Sequence, residues 1–211
     1  MHPPDCPDWE YEHHPQRALV TRHTATVLGS LVGGKLASLA FASDSRIGHQ
    51  LVFRSVTPAG HDYFAGHYRG EAYRCLRFYE VTIPSDRRVG VVPDAVSFRM
   101  EELEKELRCG VLALDADRKH DDLEQLRYLV SFACHVFVAF LTIHPYANGN
   151  GHMGRLIVCS ILGRYGFWPH RWTVDPKPPD PPYSDLIKLH RDGNTSPLED
   201  YLFQMLDPRS P

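Results

Sequence analysis

Two histidines, two asparagines, three glycines and an arginine fall within twelve consecutive residues, His144-Pro145-Tyr146-Ala147-Asn148-Gly149-Asn150-Gly151-His152-Met153-Gly154-Arg155. An apolar run, 132–141, leads into this stretch and another, 156–162, leads out of it. Proline and repeated glycine disfavour a continuous helix, so the stretch reads as a turn between two buried helices. The second helix begins inside Gly149-Asn150-Gly151-His152. Its first N–H groups have no intrahelical acceptor and carry the positive end of the helix dipole, a combination that attracts anions and phosphate above all. The glycines let a ligand approach the backbone closely. Arg155 lies about one turn into the helix and reaches back to the same place, with a planar fork suited to phosphate oxygens. His144, across the turn, is placed to take a proton from an attacking hydroxyl. A phosphate cradle with a base beside it implies phosphoryl or nucleotidyl transfer, in which positioning and electrostatics supply the catalysis. Taken singly, His144 is a histidine at a helix end and Gly149 and Gly151 are cap residues; taken together they carry the phosphate reading.

The elements that must hold this turn are mostly helical. Residues 123–143 form a helix whose second half is apolar nearly all round, the mark of a buried central helix, with His120-Asp121-Asp122 as its cap. Residues 155–166 form the second buried helix, closed by Gly166. Residues 18–42 read as one helix weakened near Gly33-Gly34, and residues 95–108 as an amphipathic helix. Later helices cover 183–190 and the segment after Asn194-Thr195-Ser196-Pro197, with Thr195 or Ser196 as cap and Pro197 in the first turn. Residues 1–16 read as a loose arm, 48–58 as a connector of undefined structure, and 166–183 as a proline-rich loop. One stretch changes period. The β-forming runs 76–83 and 89–92 flank the polar turn Ser85-Asp86-Arg87-Arg88 and predict a small hairpin, with prolines at both margins keeping it at an edge. An exposed hairpin edge accepts an extended segment of another chain.

Composition narrows the function classes. A chain of 211 residues with 43% hydrophobic and 23% charged residues is an ordinary globular domain that buries its own core. The formal charge of −3 gives no electrostatic reason to expect nucleic acid. The segment 18–42 is interrupted by Arg22, His23 and Lys35, which predicts a soluble helix rather than a membrane span. Five cysteines, an odd number without CxxC spacing, predict reduced thiols in a cytoplasmic protein, not a disulfide framework.

The twelve-residue stretch resembles the signature of the Fic family, His-Pro-Phe-x-(Asp/Glu)-Gly-Asn-Gly-Arg-x-x-Arg. Gly66-His67-Tyr68-Arg69, the hairpin at about 78–92, Pro93 and the long apolar helix follow the family's order. The resemblance covers about residues 41–206, with residues 1–40 as an N-terminal arm and helix. It implies an all-α fold carrying a small β-hairpin flap. It also implies transfer of AMP from ATP, with Mg2+, to a Ser, Thr or Tyr hydroxyl of a target protein. His144 is then the general base. Gly149, Asn150, Gly151, His152 and Arg155 hold nucleotide phosphates. Tyr146 matches the Phe that anchors the loop in the core. The flap residues Tyr79, Glu80, Val81, Val89, Gly90 and Val91 hold the target by strand addition, and the family allows an antitoxin-like inhibitor. Two positions depart from the pattern. Asn148 stands where Asp or Glu binds magnesium, and a neutral amide offers one oxygen and no charge. His152 stands where Arg contacts distal phosphates, and imidazole lacks the guanidinium fork. These departures keep three alternatives open: a degenerate Fic fold that binds nucleotide or protein without transfer, a different donor, or phosphorylation. His152 acting as a second acid or base, or as a metal ligand with His144, is a further reading. An inhibitory glutamate at Glu199, in Thr195-Ser196-Pro197-Leu198-Glu199-Asp200, fits the family's inhibitory pattern loosely.

Overall fold

The apolar periodicities resolve into eight α-helices among the described residues, which are 6–84, 86–116 and 122–206. They are α1 (Arg17–Val32), α2 (Ser38–Ser43), α3 (Arg46–Phe53), α4 (Pro93–Ala116), α5 (Asp122–Ile143), α6 (Asn150–Arg164), α7 (Tyr183–Arg191) and α8 (Ser196–Gln204). In this computed structural model α5 and α6 pack along each other at the centre, as the two apolar runs require. Helix α6 is buried from Asn150 to Leu162 on nearly every face, because α5, α2 and α1 surround it. Helix α4 shows one stripe, Val96, Met100, Leu103, Leu107 and Val111, and lays it against α5. Helices α7 and α8 pair with each other and close the far side of α5. A single apolar cluster runs from Trp9 to Leu206 and includes Phe137, Phe140, Tyr146, Leu156 and Ile157. Each such side chain contributes about 1.5–3 kcal/mol by leaving water.

Several boundaries differ from the sequence expectation. The run 18–42 is two helices, with a turn at Gly33-Gly34 between α1 and α2. The connector at 48–58 is largely helical, as α3 followed by a 3-10 turn at Arg54–Val56. Helix α4 continues to Ala116, and the proposed cap residues His120 and Asp121 lie outside the described residues.

The predicted hairpin is not a hairpin: segment 76–92 has no strand among the described residues. Its two arms do approach, and a Cβ on Gly90, at φ +90°, would sit 2.4 Å from the Val81 carbonyl oxygen. The hydrogen bonds go elsewhere. Gly90 and Val91 donate their N–H groups to the carbonyls of Thr142 and Ile143 at the end of α5. Those carbonyls lack intrahelical donors, so they compete successfully for the flap amides. The fully buried Arg69 then accepts the role of cross-link. Its Nη1 donates to Tyr79 O at 3.0 Å and its Nη2 to Val91 O at 3.1 Å, joining the arms through a guanidinium instead of a ladder.

The arm at 6–16 is not loose. Trp9 and Tyr11 are buried, and Trp9 Nε1 donates to Val56 O at 2.8 Å. The arm is also tied covalently, because Cys6 and Cys75 form a disulfide across a sequence separation of 69 residues. The expectation of five reduced thiols is therefore wrong for this pair, while Cys109, Cys134 and Cys159 are free. The packing of the arm beside the 63–79 region brings together two cysteines that no sequence spacing connects.

Candidate active site

His144 closes α5 with a φ of +54°, a left-handed conformation that costs a residue with a Cβ about 1–2 kcal/mol. Arg69 holds it there. Arg69 Nε donates to His144 O at 2.8 Å, Nη2 donates to Ile143 O at 3.1 Å, and the Arg69 backbone N–H donates to Pro145 O at 2.8 Å. His144 Nδ1 lies 3.3 Å from Leu141 O. A carbonyl only accepts, so Nδ1 carries the proton and Nε2 keeps its lone pair. Burial first, and then the nearby charges of Arg69 and Arg191, lower the His144 pKa to about 4, so the ring is neutral at pH 7.

A second buried histidine positions the turn itself. Gly66 N–H donates to His49 Nδ1 at 2.9 Å, which leaves Nε2 as the protonated nitrogen, donating to Asn148 O at 3.0 Å. His49 also stacks on Tyr146, with centroids 3.8 Å apart. Burial drives its pKa down to about 3, so this tautomer is permanent at neutral pH. Tyr146 is fully buried and its hydroxyl pairs with Ser45 at 2.8 Å. The turn closes at Gly149, with φ +78°, where a Cβ would meet the Phe53 ring at 2.5 Å.

The cradle is made by backbone more than by side chains. Asn150 accepts from Tyr146 N–H through Oδ1 and donates to Tyr146 O through Nδ2, both at 2.9 Å. Its side chain therefore braces the turn instead of facing a ligand, and its contribution to an anion is its backbone N–H. The amides of Asn150, Gly151 and His152 open α6 and lack intrahelical acceptors. Arg155 folds back along Gly151: a Cβ there would lie 3.0 Å from Arg155 Nη1. Its Nε donates to Val174 O at 3.0 Å, and Nη1 is 3.4 Å from the Tyr183 hydroxyl.

These groups line one cavity of about 420 Å3 that unites His144, Asn148, Gly149, Asn150, Gly151, His152 and Arg155. It also contains Tyr11, Glu12, Arg17, Asp175 and Lys177, which sequence reasoning did not select. Tyr11 approaches His152 Nδ1 with its hydroxyl at 3.3 Å, and Asp175 Oδ1 lies 3.5 Å from His152 Nε2. The second distance is longer than a hydrogen bond. Burial accordingly outweighs the carboxylate, and the His152 pKa is lowered. Asp175 is gripped by Arg17 at 2.7 and 3.0 Å and by the Thr21 hydroxyl. His152, Arg17 and Thr21 hold its carboxyl far below the usual range. The flap residues are not part of this cavity. Val91 lines a neighbouring one of about 720 Å3 with Thr142 and Ile143. Glu199 receives a hydrogen bond from Ser131 of α5 at 2.9 Å.

The residues present do not fit the magnesium ion that the resemblance implies. Asn148 Oδ1 accepts from Gly149 N–H at 2.7 Å, while Nδ2 donates to Trp9 O at 2.8 Å and lies 3.4 Å from Glu12. The one oxygen that Asn148 could offer a cation is already committed, and the position lacks the anionic oxygen that magnesium favours. His144 and His152 bond to different partners, Leu141 and Tyr11, and do not form a metal pair with a carboxylate: no cluster of three or more ligating side chains occurs among the described residues.

An all-helical scaffold thus aims free helix-start amides and an arginine at one cavity, with a neutral histidine on its rim, an arrangement that can hold a phosphate beside a base. The sequence profile of the Fic/DOC family matches residues 49–162, more than half of the chain, and the chain belongs to that family. Solved structures share the fold. A Fic domain-containing signaling protein from Bacteroides thetaiotaomicron aligns at a TM-score of 0.60 and 16% identity, over 87% of this chain and 66% of that one. The chain thus spans slightly less than two thirds of that relative. BepC, a translocated effector from Bartonella tribocorum solved with bound AMPPNP, aligns at 0.55 and 15% identity, over 89% and 88% of the two chains. The N-terminal Fic domain of a putative cell filamentation protein from Bartonella quintana aligns at 0.56 and 16% identity, over 91% and 84%. No curated protein matches the chain in sequence.

Proposed function

We propose that this protein is a Fic-type transferase that moves a nucleoside monophosphate, AMP in the family's usual chemistry, onto a Ser, Thr or Tyr hydroxyl of a target protein. One observation carries the reading. His144 is neutral, with Nδ1 committed to Leu141 O, so Nε2 is free to accept a proton beside the unpaired amides of α6. His144 removes the proton of the incoming hydroxyl. The amides of Asn150, Gly151 and His152, with Arg155, hold the phosphate under attack and meet the charge that develops on it. Arg69 and His49 fix the two ends of the turn, so the cradle is organised before substrate arrives. The target segment lies across 79–91, next to Val91 and the end of α5, and reaches His144 from that side. The AMPPNP bound in the BepC structure supports a nucleotide as donor.

The test is labelling of a cell lysate by the purified protein with nucleotides carrying a labelled nucleoside-side phosphate. Transfer that disappears in His144→Ala supports the proposal; labelling that persists unchanged in that variant sinks it. A second reading, binding without transfer, is favoured by one observation: the Asn148 amide is occupied by the arm through Trp9 O. Tight nucleotide binding with no turnover, even after Asn148→Asp with His152→Arg, selects that reading.

A further inference from the structure

The arm at 6–16 grips the start of α6 from two sides. Trp9 O accepts from Asn148 Nδ2 at 2.8 Å, and Asn148 Oδ1 in turn accepts from Gly149 N–H at 2.7 Å. Gly149 is the N-cap of α6, so the arm fixes the side chain that orients that cap. The Trp9 ring meets His49 edge-on with centroids 5.9 Å apart, and His49 Nε2 donates to Asn148 O at 3.0 Å. Asn148 is thus held at its side chain by the arm and at its backbone by a histidine the arm packs against. Further along, the Tyr11 hydroxyl lies 3.3 Å from Nδ1 of His152, in the first turn of α6, and its ring tilts on Phe53 at 4.9 Å. Tyr11 and Glu12 line the catalytic cavity. Glu12 is exposed, so water screens its charge.

The arm has little internal structure of its own. Its regular element is a 3-10 turn at Tyr11–His13, too short to keep its shape unaided. Its position is set by the seat of Trp9 and by its two ends. One end runs into α1 at Arg17, and the other is the bridge from Cys6 to Cys75, three positions before Trp9. With the bridge closed, the arm is a strap fastened on both sides of the turn. With it open, covalent attachment remains only through α1, and a short surface segment held that way moves more freely. The two sulfurs differ in access: Cys75 is 1% exposed, whereas Cys6 is half-buried. An incoming thiolate therefore reaches Cys6.

We propose that the arm is a working wall of the catalytic cavity, with Trp9 as a positioning residue for the start of α6, and that the Cys6–Cys75 bridge is a redox gate on it. The bridged protein holds the phosphate-binding turn in place and binds its ligand; the reduced protein binds weakly. The inference rests on the reading above that this cavity takes a nucleotide phosphate. The effector is a dithiol reductant. One of its thiolates attacks Cys6 Sγ, the S–S bond breaks, and the electron pair leaves on Cys75 Sγ, which takes a proton. The second thiolate then displaces Cys6 Sγ, which is protonated in turn. The products are two protein thiols and the oxidised dithiol, with two electrons passed. Linkage makes the gate reciprocal: whatever factor the bridge adds to ligand affinity, bound ligand adds to the bridge's resistance to reduction.

The experiment uses the full chain with Cys109→Ser, which removes the exposed free thiol on α4 and prevents a second bridge. Calorimetry with AMPPNP compares oxidised and dithiothreitol-reduced protein below both melting temperatures. Reduction is expected to raise Kd by at least about fivefold, the lower end of ordinary coupling between linked sites, and reoxidation to restore it. Cys6→Ser is expected to bind like the reduced form whatever the redox state. Saturating AMPPNP is expected to shift the dithiol ratio at half reduction by the same factor as Kd. Hydrogen exchange supplies a readout that needs no ligand: the amides of Gly149 and Met153, bonded to Asn148 Oδ1 and Gly149 O, exchange faster in the reduced form while those of 133–140 do not change. Equal Kd in the two folded forms overturns the gate and leaves the transfer reading standing. If AMPPNP binds neither form, the nucleotide reading falls and exchange decides: faster exchange confined to the turn supports the arm's role, and unchanged exchange overturns it. Faster exchange throughout, or a reduced chain that unfolds, makes the bridge a staple of the whole fold and overturns the proposal.

Discussion

Replacing Arg69 with Met removes a guanidinium that is fully buried and that donates to four carbonyls, His144, Ile143, Tyr79 and Val91. Hydrogen bonds to a charged group are worth about 1.5–3 kcal/mol each, or about 6–12 kcal/mol for the set. Against this stands the desolvation of a cation without a carboxylate partner, several kcal/mol, which also lowers the Arg69 pKa to about 10. The net loss is about 3–5 kcal/mol. At about 2–4 °C per kcal/mol for a chain of this size, the melting temperature falls by about 6–20 °C. Arg69 does not line the cavity, so any transfer activity that survives has reduced kcat with little change in nucleotide KM. Arg69→Lys keeps the charge but loses the fork, and falls between. Scanning calorimetry with steady-state kinetics makes the comparison. An Arg69→Met protein melting within about 2 °C of the parent would refute the claim that this side chain holds flap and base together.

Gly149→Ala forces a Cβ into a left-handed residue and within 2.5 Å of the Phe53 ring. A loss of about 2–5 kcal/mol is expected, measured by urea denaturation, and a neutral result would show that the turn relaxes freely. Acid acts through His49 and His144, whose folded pKa values are depressed from 6.5 to about 3 and about 4. The unfolded chain binds protons there first, so stability is full above about pH 6.5 and falls as pH drops toward 4, by up to about 1.4 kcal/mol per unit for each histidine. Activity, which needs neutral His144, stays flat above about pH 5 on its acid limb; a limb near pH 6.5 would contradict the buried tautomer. Opening the Cys6–Cys75 bridge with Cys6→Ser, or with reductant, releases a 69-residue loop. It costs about 4 kcal/mol by loop entropy, seen as a lower melting temperature under reducing conditions, and an unchanged melt would exclude the bridge from stability.

The turn at 144–155 was legible because its helix breakers, its base and its arginine are neighbours in sequence, and because α5 and α6 carry long apolar runs. What escaped depends on partners far along the chain. Trp9 reaches Val56, Tyr11 reaches His152, and Arg17 reaches Asp175. Prolines around Trp9 and Asp175 mark loops locally and say nothing of what those loops cover. His49 is a lone histidine in sequence, and only the fold sets it between Gly66 and Asn148. Arg69 was visible only within the block Gly66-His67-Tyr68-Arg69. Its capture of the flap carbonyls also explains why β-forming runs at 76–92 make no ladder. The cysteine pair eluded counting because an odd total hides one bridge among free thiols.

The central claim is that His144 passes a hydroxyl proton while α6 holds the phosphate. Intact mass of the purified protein and of labelled target, after incubation with each nucleotide, tests it most directly. The account predicts a mass gain equal to one nucleoside monophosphate, lost by a factor of about 10²–10⁴ in His144→Ala. A gain that survives in that variant, or a gain equal to phosphate alone, would contradict it.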